Sequence, residues 1–145
     1  MIDKMKALIK QKDICVLATA SGNKPHCSLM AYATDDECHE IYMVTNKLTS
    51  KYRNLIQNPL VSLLIDTRDE DIGSRRIEAR ALTVEGVFQR IEDEAKRDLV
   101  RDILLEQHPH LSTLATDPEA EVFSIKVISF LLLEGPTDAH FEQVG

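Results

Sequence analysis

Thr45, Thr49, Ser50 and Lys51 fall within seven residues of one another, in the run Val-Thr-Asn-Lys-Leu-Thr-Ser-Lys. Three hydroxyls and an ammonium at that spacing could converge on one point, and Asn46 and Lys47 between them favour a turn. Thr49 or Ser50 can cap a helix whose first amides are free, and free helix-end amides together with a lysine suit an anion the size of a phosphate. Taken alone, the same residues also describe an ordinary helix cap beside a solvated lysine.

The flanking residues indicate what positions this turn. Residues 41–44 are β-prone, and Tyr52, Leu55 and Ile56 lie on one side of a short helix that Asn58-Pro59 would stop. Residues 60–65 form a nearly continuous apolar run, which predicts a strand buried on both faces. The central stretch, 40–66, therefore reads as strand, turn, short helix and strand.

Before it, residues 2–12 carry Ile2, Met5, Leu8 and Ile9 at helical spacing. Residues 13–20 and 26–34 read as two strands joined by a hairpin turn at Gly22-Asn23. After it, residues 67–74 read as a charged, solvated loop containing Asp69, Glu70 and Asp71. Arg75 to Thr83 alternates as a half-buried strand, and the strand continues to Ile91 with Gly86 marking a bulge or bend. Glu92-Asp93-Glu94 opens a helix with Ala95, Leu99, Val100, Ile103 and Leu104 on its apolar stripe, ended by His108-Pro109. A polar connection, 111–117, leads to a last strand, 121–133, and an irregular arm from Glu134. With one short helix between strands, the sheet is expected to be antiparallel and curled into a barrel with flanking helices, a mainly β (α+β) fold of six or more strands in one domain, 1–145.

Composition narrows the function classes. Net charge is −7, from 17 basic and 24 acidic residues, which excludes a broad grip on a nucleic-acid backbone. The basic clusters Lys47-Lys51-Arg53 and Arg75-Arg76-Arg80 are each of a size to serve one phosphate group. The longest apolar run, 127–133, is strand-sized, so no membrane span is expected, and the first residues do not resemble a signal peptide. The location expected from this is cytoplasmic. Cys15, Cys27 and Cys38 are scattered and odd in number, as free thiols in a reducing compartment would be.

Other chemistry finds little support. Neighbouring residues on a strand face opposite ways, so His26-Cys27 and Cys38-His39 can each give one ligand to a site, and no metal is expected. His108 and His110 at a helix end suit the dipole, and Tyr32 and Tyr42 read as packed aromatics. No Gly-rich dinucleotide loop, P-loop or nucleophile elbow is present.

In this order the chain resembles the pyridoxamine-phosphate-oxidase-like family of FMN-binding split barrels, over roughly residues 5 to 133. The likeness is strongest at Ile-Tyr-Met-Val-Thr-Asn-Lys-Leu-Thr-Ser-Lys51, at Gln-Asn-Pro-Leu-Val-Ser-Leu-Leu-Ile65 and at Val-Leu-Ala-Thr-Ala-Ser-Gly-Asn-Lys-Pro25. It implies an FMN cofactor bound by Ser28, Leu29 and Met30 along the ring and by Val44, Thr45, Thr49, Ser50 and Lys51 around the phosphate, with Arg80 as a further anion contact. It also implies a homodimer with the flavin at the interface and a flavin-dependent oxidoreductase acting on a small molecule. A non-catalytic flavin carrier, stress or sensor protein, or a related barrel taking a deazaflavin coenzyme or haem, is the alternative. Ser28 and Ala33 stand near positions where the true oxidase has basic residues, there is no tryptophan, and the chain ends soon after the last barrel strand. Pyridoxal phosphate synthesis is therefore not expected.

Overall fold

The computed structural model describes residues 1–144. Helix α1 (Ile2–Gln11) leads into strands β1 (Ile14–Ser21) and β2 (Lys24–Ala31), joined by Gly22 and Asn23, both at positive φ. A two-residue strand β3 (Ala33–Thr34) precedes β4 (Glu40–Asn46), α2 (Ser50–Gln57) and β5 (Leu60–Asp66). A 3-10 segment (Gly73–Glu78) leads to β6 (Arg80–Arg90), then α3 (Glu94–Gln107), the short α4 (Ser112–Ala115), β7 (Ala120–Glu134) and β8 (Asp138–Gln143).

The eight strands of the described residues belong to one sheet, seven in the order β2-β1-β5-β6-β7-β4-β3 and β8 paired with β7 off that path, and every pairing is antiparallel. The two ends of that path meet in one continuous segment. Residues 24–31 pair with β1, residues 33–34 pair with β4, and the chain bends between them at Tyr32. The bend is held from three sides: the Tyr32 hydroxyl donates to the Ile9 carbonyl at 2.6 Å, its N–H donates to Asp13 O, and its carbonyl lies 2.9 Å from His108 Nε2. His108 is buried, so it is a core polar residue pinning the bend and not only a complement to the α3 dipole.

Curling gives the sheet an inside. Leu17, Ile41, Met43, Leu63, Ile65, Leu82, Phe123 and Phe130 fill it, with α1 and Tyr52 and Leu55 of α2 plugging its ends. A second cluster lies outside β4, where Tyr42, Val44 and Val122 pack beneath Val100 and Leu104 of α3. Gly86 sits at a register shift between β6 and β7, as its place within a strand predicts. A Cβ there would lie 2.5 Å from Ile125 Cγ2, so the bend depends on a residue without a side chain.

Several local expectations are corrected. β5 is buried on one face only: Val61, Leu63 and Ile65 point inward, whereas Leu60 is exposed and Ser62 and Leu64 lie on the outer face. No helix among the described residues packs its apolar side chains on that outer face. Across it runs a row of directly paired residues, Leu29, Val16, Leu64, Thr83, Leu131 and Phe141, one from each of six strands. Residues 75–79 are not strand: Asp71, Arg75 and Glu78 form ion pairs at i,i+4 and i,i+3, a helical spacing, and the segment winds as a 3-10 turn after Gly73. Asp71 is not solvated either, being buried with its carboxylate accepting from Thr67 Oγ1. Residues 109–115 turn helically where a polar connection is expected. The tail from Asp138 is a strand on β7, not an irregular arm. Ile56 and Leu99 face outward, so the apolar stripes of α2 and α3 are narrower than their sequences suggest. No helix among the described residues is long and apolar enough to cross a membrane.

Candidate functional site

The turn between β4 and α2 is built from its own polar groups. Asn46 Oδ1 accepts from Leu48 N at 2.8 Å, and Lys47 N donates to Glu119 O. Thr49 is the N-cap of α2: its hydroxyl accepts from Tyr52 N at 3.3 Å and donates to Asn46 O at 2.9 Å. Both functions of that hydroxyl are thereby engaged inside the turn. Ser50 and Lys51 are the first two residues of α2, and their main-chain N–H groups have no acceptor among the described residues.

Lys51 is half-buried, yet it forms no ion pair or side-chain hydrogen bond among the described residues. Burial holds its ammonium below the usual lysine range, and no carboxylate raises it again. A partly desolvated lysine without a side-chain partner among the described residues, in the same first turn of α2 as two free amides and the exposed Ser50 hydroxyl, brings together the groups that suit a phosphate monoester.

Thr45 and Val44 are placed differently. Thr45 is buried on β4, directly opposite Glu121 of β7, and it shares the inward side of its strand with Met43. Val44 is packed beneath α3, so only its main chain is free to take part in binding. Glu121 and its partner Arg90, whose Nη2 lies 3.1 Å from Glu121 Oε1, are site neighbours that sequence reasoning missed. Glu121 Oε2 is buried without a hydrogen-bond partner. Nothing in the local sequence signals this, because the Thr45–Glu121 pairing is fixed only by the register of two distant strands.

Ser28, Leu29 and Met30 lie on β2, away from the turn. Met30 is buried, Leu29 is 72% exposed, and Ser28 Oγ is 3.5 Å from His26 Nδ1. β2 pairs on one side only, with β1, while residues 43–46 of β4 pair only with β7. From the Tyr32 bend, these two strands therefore present unpaired edges toward each other. Helix α2 bridges the far end: it follows β4 directly and bonds β1 through Asn54 Nδ2 to Thr19 Oγ1, at 3.2 Å, and Ser21 Oγ to Gln57 Oε1, at 2.7 Å. The turn residues and β2 thus flank one split in the barrel. Arg80 does not join them within the chain. It pairs with Glu134 at one end of β7, whereas Thr45 pairs with Glu121 near the other.

Comparison with known proteins agrees with this architecture. A family model described as pyridoxamine 5'-phosphate oxidase matches residues 1–132. No curated protein sequence matches significantly. Among solved structures, a heme binding protein from Mycobacterium smegmatis superposes with a TM-score of 0.85 at 16% identity, covering 98% of this chain and 57% of that one. This chain thus spans little more than half the length of that protein. A FAD-binding protein from Mesorhizobium loti gives a TM-score of 0.74 at 20% identity, with 94% and 95% of the two chains covered. General Stress Protein 26 from Bacillus anthracis gives 0.73 at 20% identity, covering 99% of this chain and 98% of that one. At these identities the superpositions establish a shared fold.

Proposed function

Because the chain belongs to the pyridoxamine 5'-phosphate oxidase family, we propose that it binds FMN in the split between β2 and β4 and acts as a flavin-dependent oxidoreductase on a small molecule. One observation carries the binding half: Lys51, half-buried and without a side-chain partner among the described residues, shares the first turn of α2 with the free amides of Ser50 and Lys51. Lys51 Nζ, those amides and the Ser50 hydroxyl hold the phosphate, and Thr49 fixes the turn that presents them. The unpaired edge of β2 at Ser28, Leu29 and Met30 offers main-chain donors and acceptors to the ring. Bound there, the flavin supplies hydride or electron transfer, while the protein supplies orientation and electrostatics.

The outer sheet face supports a homodimer. The row from Leu29 to Phe141 is apolar at five of its six positions, and Leu29, Leu131 and Phe141 are exposed. A contiguous apolar patch on a sheet face without a covering layer suits a second copy of the chain.

The test is a titration of the purified protein with FMN, deazaflavin coenzyme and haem in parallel, read by absorption spectrum and melting temperature. FMN alone is expected to raise the melting temperature, and Lys51→Ala is expected to weaken it by about 1.5–3 kcal/mol. A haem Soret band with no flavin effect would transfer the split to the ligand named for the Mycobacterium smegmatis neighbour. Tight FMN binding without turnover of reduced nicotinamide and a panel of acceptors would make the protein a flavin carrier or sensor.

A further inference from the structure

A cavity of about 610 Å3 lies at the other end of the sheet, where β5, β6 and β7 meet the 3-10 segment and the β7–β8 turn. Arg68, Arg76 and Arg80 line it, with Asp66 as the one acid. Asp66 is already engaged, since its carboxylate takes Arg68 Nε at 2.7 and 3.0 Å. Arg76 bonds only to the Arg68 carbonyl, at 3.3 Å, and the carboxylate nearest Arg80, that of Glu70, is 3.9 Å away, beyond hydrogen-bond range. Two guanidinium groups therefore face the cavity with most of their donors unused. Arg68 and Arg80 each have a carboxylate within 4 Å, whereas Arg76 has none among the described residues.

The rest of the lining is apolar, with Ile77 and Leu133 as its largest side chains. The wall is fixed by Gly135. Its φ is +63°, and a Cβ there would lie 2.7 Å from the Ile77 carbonyl oxygen, so only glycine lets the β7–β8 turn press against the 3-10 segment. The Gly135 N–H closes the contact by donating to Ala79 O at 2.8 Å. The volume falls in the ordinary range for small-molecule sites, and a guanidinium fork at the end of an apolar wall selects a planar or tetrahedral anion.

We propose that this cavity binds an amphipathic organic acid, an apolar ring or chain ending in a carboxylate or phosphate, with Arg76 and Arg80 holding the anion and Ile77 and Leu133 the apolar body. Within one chain the site is separate from the flavin phosphate turn, because Arg80 and Thr45 lie toward opposite ends of β7, and displacement by FMN tests the same separation across a dimer.

The test follows main-chain amide NMR signals of the full chain during titration with 2-naphthoate, 2-naphthyl phosphate and 2-naphthylmethanol. One or both anions are expected to bind saturably and shift Ala79, Ala81 and Gly135, and the stronger of the two names the headgroup. The uncharged alcohol is expected to bind at least about tenfold more weakly, and Arg76→Gln and Arg80→Gln each to weaken the anion roughly five- to tenfold. Lys51→Ala is expected to leave this binding unchanged. Equal binding of the alcohol, wild-type affinity in both arginine variants, or displacement of the anion by FMN would overturn the proposal. Arg76 is exposed, so Arg76→Gln carries the test even where Arg80→Gln disturbs the fold. Failure of FMN to bind anywhere would sink the flavin proposal and leave this one standing.

Discussion

Thr45 and Glu121 face each other directly across the β4–β7 ladder, and one oxygen of that glutamate is buried without a well-formed hydrogen bond among the described residues, the Tyr52 phenol being its neighbour. Cross-strand Cβ atoms at such a pair are about 5 Å apart, so a negative charge lies within one residue's reach of the threonine that the family resemblance places at the flavin phosphate. Arg90 offsets part of it. Glu121→Gln removes the charge and frees Arg90. FMN affinity, measured by fluorescence quenching, is expected to rise by about 1 kcal/mol, roughly fivefold. Weaker binding in the variant would move the phosphate away from Thr45.

Thr49 separates the cap from the ligand. Its hydroxyl both donates to Asn46 O and accepts from Tyr52 N, so it holds the turn whether or not anything is bound. Thr49→Ala is expected to cost about 1 kcal/mol of unfolding free energy in the ligand-free protein, and Thr49→Ser to recover most of it. Urea denaturation of both variants checks this. A stability loss confined to the FMN-loaded protein would instead make Thr49 a direct phosphate contact.

Leu131 tests the outer face. It lies midway between Thr83 and Phe141 in the apolar row and is 37% exposed, so an arginine there has room in a lone chain but not beneath a second one. Leu131→Arg is expected to sediment as a monomer with its circular dichroism unchanged, while the wild-type chain sediments as a dimer. A wild-type monomer would leave the exposed row without its proposed partner.

Alkaline pH should destabilise the protein before any acidic transition involving these groups. Burial pushes the Cys15 thiol from 9.0 up to about 12. Burial, and then the Glu121 carboxylate, push the Tyr52 phenol from 10.0 up to about 12. Each folded-state value lies above the unfolded one, so their contribution is complete below about pH 9 and is lost as pH rises toward 12. Lys51, held low by burial, works in the opposite direction. The unfolding free energy from urea denaturation is expected to fall above about pH 9, by up to about 1.4 kcal/mol per pH unit for each group that titrates only when unfolded. Cys15→Ala should flatten the first part of that fall, and an identical slope in the variant would remove the thiol as its cause.

Much of the fold was legible because local chemistry agreed with it. Gly22-Asn23 made the hairpin, Thr49 and Asn58-Pro59 bounded α2, and Gly86 marked a bulge where a side chain would strike Ile125. The misreadings have physical causes. A continuous apolar run such as 60–65 reads the same whether its outer face is buried by its own chain or left bare, and here it is bare. The 3-10 segment reads as strand because Ile77, Ala79 and Ala81 alternate, although Asp71, Arg75 and Glu78 are spaced for a helical turn. At the candidate site, hydroxyls and lysine were visible in one short run. Glu121 and Arg90 reach it only through strand register, which no local window contains.

β7 is flanked by β6 along one edge, and by β4 and then β8 along the other. During synthesis, the hydrogen-bonding groups that β4 turns toward β7 stay without their partners until residues 120–126 have left the ribosome. Its apolar side chains Ile41 and Met43 wait equally long for Phe123 and Ile125. Pairings so distant in sequence make for slow closure, so the nascent chain carries an open, sticky sheet edge until β7 has been made.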